Sequence, residues 1–213
     1  MSNRIPLFPL NVVLLPGKLL PLHIFEPRYK QMIGAVVNQR EPFGVVRVHE
    51  NGIARVGCTA IVVRVIKTYE DGRMDILTVG QAPFRITEVH QEKPYLEATI
   101  EFLTDESAAG ATPEIEMLRE IFEQCYGLAH GSAPETEAEG NSEAGSDDPG
   151  ASLAYEFASD LPLDLDAAQQ LLEMRNESDR QRRLLEELRK LLPRLRRIAE
   201  MRSRTAGNGH GAS

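Results

Sequence analysis

The chain has 213 residues, 42% of them hydrophobic and only 6% aromatic with no tryptophan, so it can bury a core, and that core must be aliphatic. Its 24 basic and 32 acidic residues give a formal charge of -8, which argues against a surface built as a whole for nucleic acid. Two cysteines, Cys58 and Cys125, form no C-x-x-C pair and are too few to staple the chain, which excludes a disulfide scaffold and fits a reducing compartment. The apolar N-terminus is punctuated by Pro6, Pro9, Asn11, Pro16 and Lys18. It lacks both the uninterrupted run of roughly 7–15 apolar residues of a signal peptide and the ~20 of a membrane span. The expectation is a soluble, cytoplasmic protein with no membrane association.

Up to about residue 103 the signals are those of β-structure: short β-branched runs separated by turn residues. Residues 5–10 and 12–15 are short candidate strands, with Pro6 and Pro9 suggesting a sheet edge. Glu26-Pro27-Arg28 opens a helix, proline standing at a first-turn position where its missing N–H costs nothing. Tyr29, Met32, Ile33, Val36 and Val37 then form one apolar stripe. A strand over 43–49 ends at Asn51-Gly52, a pair that accepts a tight turn. Strands over 61–69 and 74–79 flank Asp71-Gly72, a hairpin signal, and strands over 84–90 and 95–103 complete the set.

Beyond residue 103 the period becomes helical. Thr112-Pro113 opens a helix with Ile115, Leu118, Ile121, Phe122 and Cys125 on one face. Residues 131–150 are rich in Gly, Ser, Pro and Ala, with Glu135, Glu137, Glu139, Glu143, Asp147 and Asp148 unopposed by any Lys or Arg. Such a segment buries too little to offset its ordering entropy and is expected to be a disordered acidic loop. Two short helices are expected over 152–159 and from Asp164, a candidate N-cap, to 174. The last helix starts at Ser178 with Gln181 three residues on, a capping-box pattern. Leu184, Leu188, Leu191, Leu195 and Ile198 form its seam, and Pro193 should kink or interrupt it. The domains expected are a β-rich part over 1–104 and a helical bundle over 105–204, followed by a flexible tail over 205–213.

No catalytic signature is present. The one Gly-Lys pair, Gly17-Lys18, is followed by Leu19 where a P-loop needs Ser or Thr. There is no G-x-S-x-G elbow, H-E-x-x-H pair or G-x-G-x-x-G turn. The histidines are scattered, His49-Glu50 reads as a solvated pair, and both cysteines read as packed small hydrophobes. No catalytic residue, cofactor site or metal site is therefore assigned. From residue 175 to 204 there are 11 basic and 5 acidic residues, a local charge of +6. That helix could meet an acidic partner, but it lacks aromatic residues for base stacking, so nucleic acid is disfavoured.

One motif run is far more specific. Pro6-Leu7-Phe8-Pro9-Leu10, then Val12-Val13-Leu14-Leu15-Pro16-Gly17, then Leu20-Pro21-Leu22-His23-Ile24-Phe25-Glu26-Pro27-Arg28-Tyr29 resembles the N-terminal substrate-recognition domain of the Lon protease family. Phe43-Gly44-Val45-Val46, Val56-Gly57-Cys58-Thr59-Ala60, Val79-Gly80 with Phe84-Arg85-Ile86, and Leu161-Pro162-Leu163 continue it, so it spans about residues 4–192. Leu15 stands where Phe is common, and the acidic insert over 131–150 looks particular to this chain.

The resemblance implies an α+β fold, a PUA-like antiparallel β-sheet or pseudo-barrel with one helix, followed by a helical bundle. It implies a free-standing, non-catalytic module without ATPase or peptidase parts that binds unfolded polypeptides or acts as an adaptor. A small-molecule or nucleic-acid binding protein on the same fold is the alternative. The motif residues Pro21, His23, Phe25, Glu26, Pro27, Arg28, Tyr29, Gly80, Phe84 and Arg85 are candidate site positions with a mainly structural role. Pro21, Phe25 and Pro27 would set a strand-to-helix corner, Glu26 and Arg28 would pair, and His23 would satisfy buried backbone groups. The partner expected is a polypeptide, held in an exposed apolar groove between sheet and helices by apolar side chains and strand addition.

Overall fold

The computed structural model describes residues 4–106, 114–131 and 152–207. In chain order the first part holds β1 (Arg4–Leu10), β2 (Leu19–Ile24), α1 (Pro27–Gln39), β3 (Phe43–His49), β4 (Gly52–Ile53), β5 (Val56–Thr68), β6 (Met74–His90) and β7 (Glu97–Phe102). Four helices follow: α2 (Ile115–His130), α3 (Leu153–Ser159), α4 (Leu165–Glu173) and α5 (Glu177–Gly207). They divide into two compact units, one of Met1–Glu106 with Asp164–Arg175, the other of Ser107–Leu163 with Asn176–Ser213. The α+β class and the β-first order match the sequence reading.

In the first unit the strands run in the order β1-β7-β6-β5-β3, and β1 pairs β3 as well, so the sheet closes on itself. Every pairing is antiparallel except β1 with β3. The prolines of β1 therefore do not mark an outer edge. Arg4, Ile5 and Pro6 lie against β7, whereas Leu7 to Leu10 lie against β3, so β1 changes partner midway. Each half uses one flank, and a residue without an N–H is tolerated on the other.

Ile5, Leu7, Val46, Phe84, Ile86, Ala98 and Ile100 fill the interior of the closed sheet. Helix α1 buries Tyr29, Met32, Ile33 and Val36 of the expected stripe and leaves Val37 half-buried, and the Tyr29 ring stacks on Phe8 at 4.2 Å between centroids. At roughly 1.5–3 kcal/mol for each large buried apolar side chain, this stripe holds the helix to the sheet.

Other expectations need correction. Residues 12–15 are not a strand; Val13, Leu14 and Leu15 are buried irregular backbone. The stretches read as strands over 74–79 and 84–90 are one strand, β6, which carries β2 and β7 on different parts of its length. Gly80 and Pro83 in between do not end it, because the ladder to β5 continues past both. The turn at Asp71-Gly72 is as expected, with Gly72 at φ 78. Helix α4, expected in the bundle, belongs to the first unit: Gln169 donates to the Val56 carbonyl of β5 at 3.1 Å, and Arg47 of β3 pairs with Asp166.

The second unit is helical. Leu118, Phe122 and Cys125 of α2 are buried, as are Leu184, Leu185, Leu188 and Leu195 of α5. The Phe122 ring stacks flat on Phe157 of α3 at 4.0 Å. The same unit holds a buried polar knot: Glu177 accepts from Arg180 Nε (3.0 Å), Gln181 Nε2 (3.0 Å), Ser152 Oγ (2.6 Å) and the Ala154 N–H (3.0 Å). This knot changes the expected start of α5. Gln181 reaches back to Glu177, and Asn176 Oδ1, not Ser178, accepts from a first-turn N–H. Helix α5 runs unbroken through Pro193, which is exposed, and on to Gly207, past the expected tail boundary. The acidic segment over 132–150, the Thr112-Pro113 opening and the last residues, 208–213, lie outside the described residues.

Candidate functional site

The motif residues form one corner of the first unit. Strand β2 delivers Pro21 and His23 in register with Leu77 and Asp75 of β6. Phe25 and Glu26 turn the chain into α1, where Pro27 takes a first-turn position and Tyr29 turns inward. Arg28 Nε donates to Glu26 Oε2 at 2.9 Å, the pairing expected. His23 behaves otherwise: it is exposed and meets the Asp75 carboxylate rather than buried backbone groups. Its ring lies 6.0 Å from Phe25, nearly parallel, and 6.0 Å from Tyr69, edge-on. The Tyr69 hydroxyl donates to Asp75 Oδ2 at 2.8 Å, while Lys67 and Arg73 approach the Tyr69 ring at 4.4 and 4.9 Å. Hydrogen bonds from His23 and Tyr69 hold the Asp75 carboxyl below the ordinary carboxylate range.

Gly80, Phe84 and Arg85 are not part of that corner. Gly80 exchanges hydrogen bonds with the segment before β2: its N–H donates to the Lys18 carbonyl (3.0 Å) and its carbonyl accepts from Gly17 (2.9 Å). Phe84 is fully buried in the closed sheet, and Arg85 is exposed on β6 opposite Val56 and Glu101.

The most exposed large apolar side chains of the first unit, Leu19, Phe25, Val63 and Ile66, lie on or beside the arm formed by β2, β6 and β5. Leu19 of β2 and Ile61 of β5 both stand in register with Val79 of β6, so the three share a face. Leu19 is 57% exposed, and Phe25, just past the other end of β2, and Val63, passed over by the ladder between β5 and β6, are 59% and 54% exposed. Both rims of this arm are open. Among the described residues β2 pairs β6 alone, and β5 pairs β3 only through Cys58, Thr59 and Ala60, leaving Ile61 to Thr68 with β6 as their one partner. Sequence reasoning placed a strand at 61–69 without its exposure, because a run such as Ile-Val-Val-Arg-Val-Ile reads as a buried strand. Arg64 and Lys67 inside the run were the available hint.

Chemistry is otherwise sparse. Burial pushes the Cys58 thiol up to about 12 and the Cys125 thiol up to about 11, so neither is a thiolate nucleophile near neutral pH. Among the described residues no three His, Cys, Asp or Glu side chains gather as a metal site, and no helix is long and apolar enough to cross a membrane. On α5, Arg182, Arg183 and Lys190 are ion-paired within the helix and Arg196 donates to Gln124 of α2, so much of its positive charge is already engaged.

The first unit is thus a closed, mainly antiparallel sheet that carries an open arm with exposed apolar side chains. The model of the ATP-dependent protease La (LON) substrate-binding domain matches residues 4–190, and the chain belongs to that family. Relatives include the Lon protease of Parabacteroides distasonis, 31% identical over 55% of this chain and 15% of that protein. The Lon protease of Desulfovibrio desulfuricans is 29% identical over 84% of this chain and 21% of its own length. The chain thus spans only about a fifth or less of these relatives' length. A Lon N-terminal domain protein from Xanthomonas campestris has the same fold, with a TM-score of 0.67 at 22% identity over 86% of this chain and 97% of that one. The N-terminal domain of Mycobacterium avium complex Lon protease superposes with a TM-score of 0.59 at 17% identity, over 87% and 97% of the two chains.

Proposed function

We propose that this protein is a non-catalytic recognition module that binds polypeptide segments in a non-native state, for delivery to a protease or as an adaptor. The observation that carries the reading is the set of exposed apolar side chains Leu19, Phe25, Ile61 and Val63 along the arm of β2, β6 and β5, in a chain of a substrate-binding family. A folded protein keeps its large apolar side chains inside; an unfolded one presents them in extended runs. A solvent-facing apolar surface on a rigid sheet selects the second over the first.

The test uses reduced, carboxymethylated α-lactalbumin as the unfolded ligand and the native protein as control. The unfolded form should bind and the native form should not. Phe25→Asp combined with Val63→Asp should weaken binding by at least about tenfold while leaving the thermal melt in place, since both side chains already face water. Undiminished binding by that variant would remove these side chains from the reading, and equal binding of native and unfolded ligand would end it.

A further inference from the structure

The arm formed by β2, β6 and β5 has two free rims, and they are chemically unlike. The β2 rim carries Pro21 at its centre, a residue with no N–H to offer, which blunts it for pairing. The β5 rim from Ile61 to Thr68 has no proline and no acidic residue, only β-branched side chains with Arg64 and Lys67 among them. Its ladder to β6 is irregular between Val62 and Arg64 and between Val65 and Lys67, so Val63 and Ile66 are passed over. Those two are the most exposed apolar residues of the strand, at 54% and 53%, against 37% for Ile61 and 38% for Val65.

Resting on the polypeptide-binding reading above, we propose that the free edge of β5 takes up its client as an added strand. We further propose that it favours extended apolar segments carrying acidic residues. An unpaired strand edge presents a row of backbone donors and acceptors whose natural complement is another extended backbone. Val63 and Ile66, three residues apart, supply apolar anchors beside that row. Arg64 and Lys67 supply the charge preference, because opposite charges across paired strands are favourable and like charges are not. The same argument decides against a second copy of this chain as occupant. Edge-to-edge self-pairing would put four cations and no anion on the shared ladder. The two irregularities and the two cations restrict the edge to short, charge-matched partners, which an open apolar strand would otherwise lack.

Fluorescence anisotropy on the full chain tests this with a labelled ten-residue peptide of Val, Ile and Thr bearing two Glu. Its controls are a twin with Lys in place of Glu and two twins N-methylated at alternate residues, one in each frame. The Glu peptide should bind about tenfold more tightly than the Lys twin, and the double variant R64E/K67E should erase or invert that preference. One N-methylated frame should lose binding while the other keeps it, a comparison made on the unmodified protein and so independent of how any variant folds. Equal binding of both frames, or a charge preference that survives R64E/K67E, would overturn strand addition. If the parent peptide and unfolded lactalbumin still bind in that case, polypeptide recognition stands without it; if neither binds, both readings fall. Self-association abolished by V63D would assign the edge to a second copy and overturn the proposal equally.

Discussion

Gly80 shows how one missing atom shapes the corner that carries the motif. A Cβ built there would lie 2.2 Å from the Leu15 carbonyl oxygen and 3.0 Å from its carbonyl carbon, and these are backbone atoms that cannot swing aside. The close approach lets Gly17 and Lys18 bond to both polar groups of Gly80, which seats Leu14 and Leu15 in the interior. Gly80→Ala should therefore cost about 1–3 kcal/mol, measured by denaturant unfolding. A change of only a few tenths would mean that the 15–18 segment yields without loss. Glu97 makes the electrostatic counterpart. Burial by itself raises its carboxyl, but hydrogen bonds from Lys93 and Arg4 outweigh that and hold it below the ordinary value. A depressed carboxyl contributes stability that is present above the unfolded value of about 4.3 and is lost as pH falls through the lower folded value. Glu97→Gln should thus lower the unfolding midpoint at pH 7 and flatten its decline below pH 4. An acid limb as steep as that of the parent would show that other carboxylates govern it.

At the level of elements, periodicity located the helices well and the strands less well. The stripe of α1 lies where its spacing put it, since a helix turns its own residues to one face. On α5 the seam is partly so: Leu184, Leu188 and Leu195 are buried, while Ile198 is 40% exposed because the packed part of the face ends before it. Leu188→Ala should cost about 2–5 kcal/mol in a thermal or denaturant melt, and its partner Cys125, whose thiol lies 3.8 Å from the Leu188 carbonyl, should become easier to label. Replacing Arg194 and Arg197, both exposed on α5, by Ala should leave the melt within about 0.5 kcal/mol. An unchanged melt for Leu188→Ala would mean that this face of α5 does not hold the second unit together. Arg196 is left out of the arginine replacement because it donates to Gln124 of α2, which its long side chain reaches. Strand β2 was legible only as a corner, since Pro21 speaks against a strand; the structure accommodates it because the proline's flank is free.

Over the whole molecule, the sequence by itself determined the family, through a motif run from Pro6 to Tyr29, and with it the α+β class and the polypeptide-binding expectation. It also determined the faces of α1 and α2 and the hairpin turn at Gly72, all of which depend on residues within a few positions of one another. The tertiary structure alone decided that β1 closes the sheet by changing partner, that α4, which begins at Leu165, joins the β unit whose last strand ends at Phe102, and that Ile61 to Thr68 faces water along an open edge. The reason is physical. A strand's side-chain pattern reports which of its two faces is apolar, but pairing is settled by backbone groups brought together from distant parts of the chain. Whether an apolar strand ends in the interior or at a rim therefore depends on how many neighbours find it, and β5 beyond Ala60 is found by one.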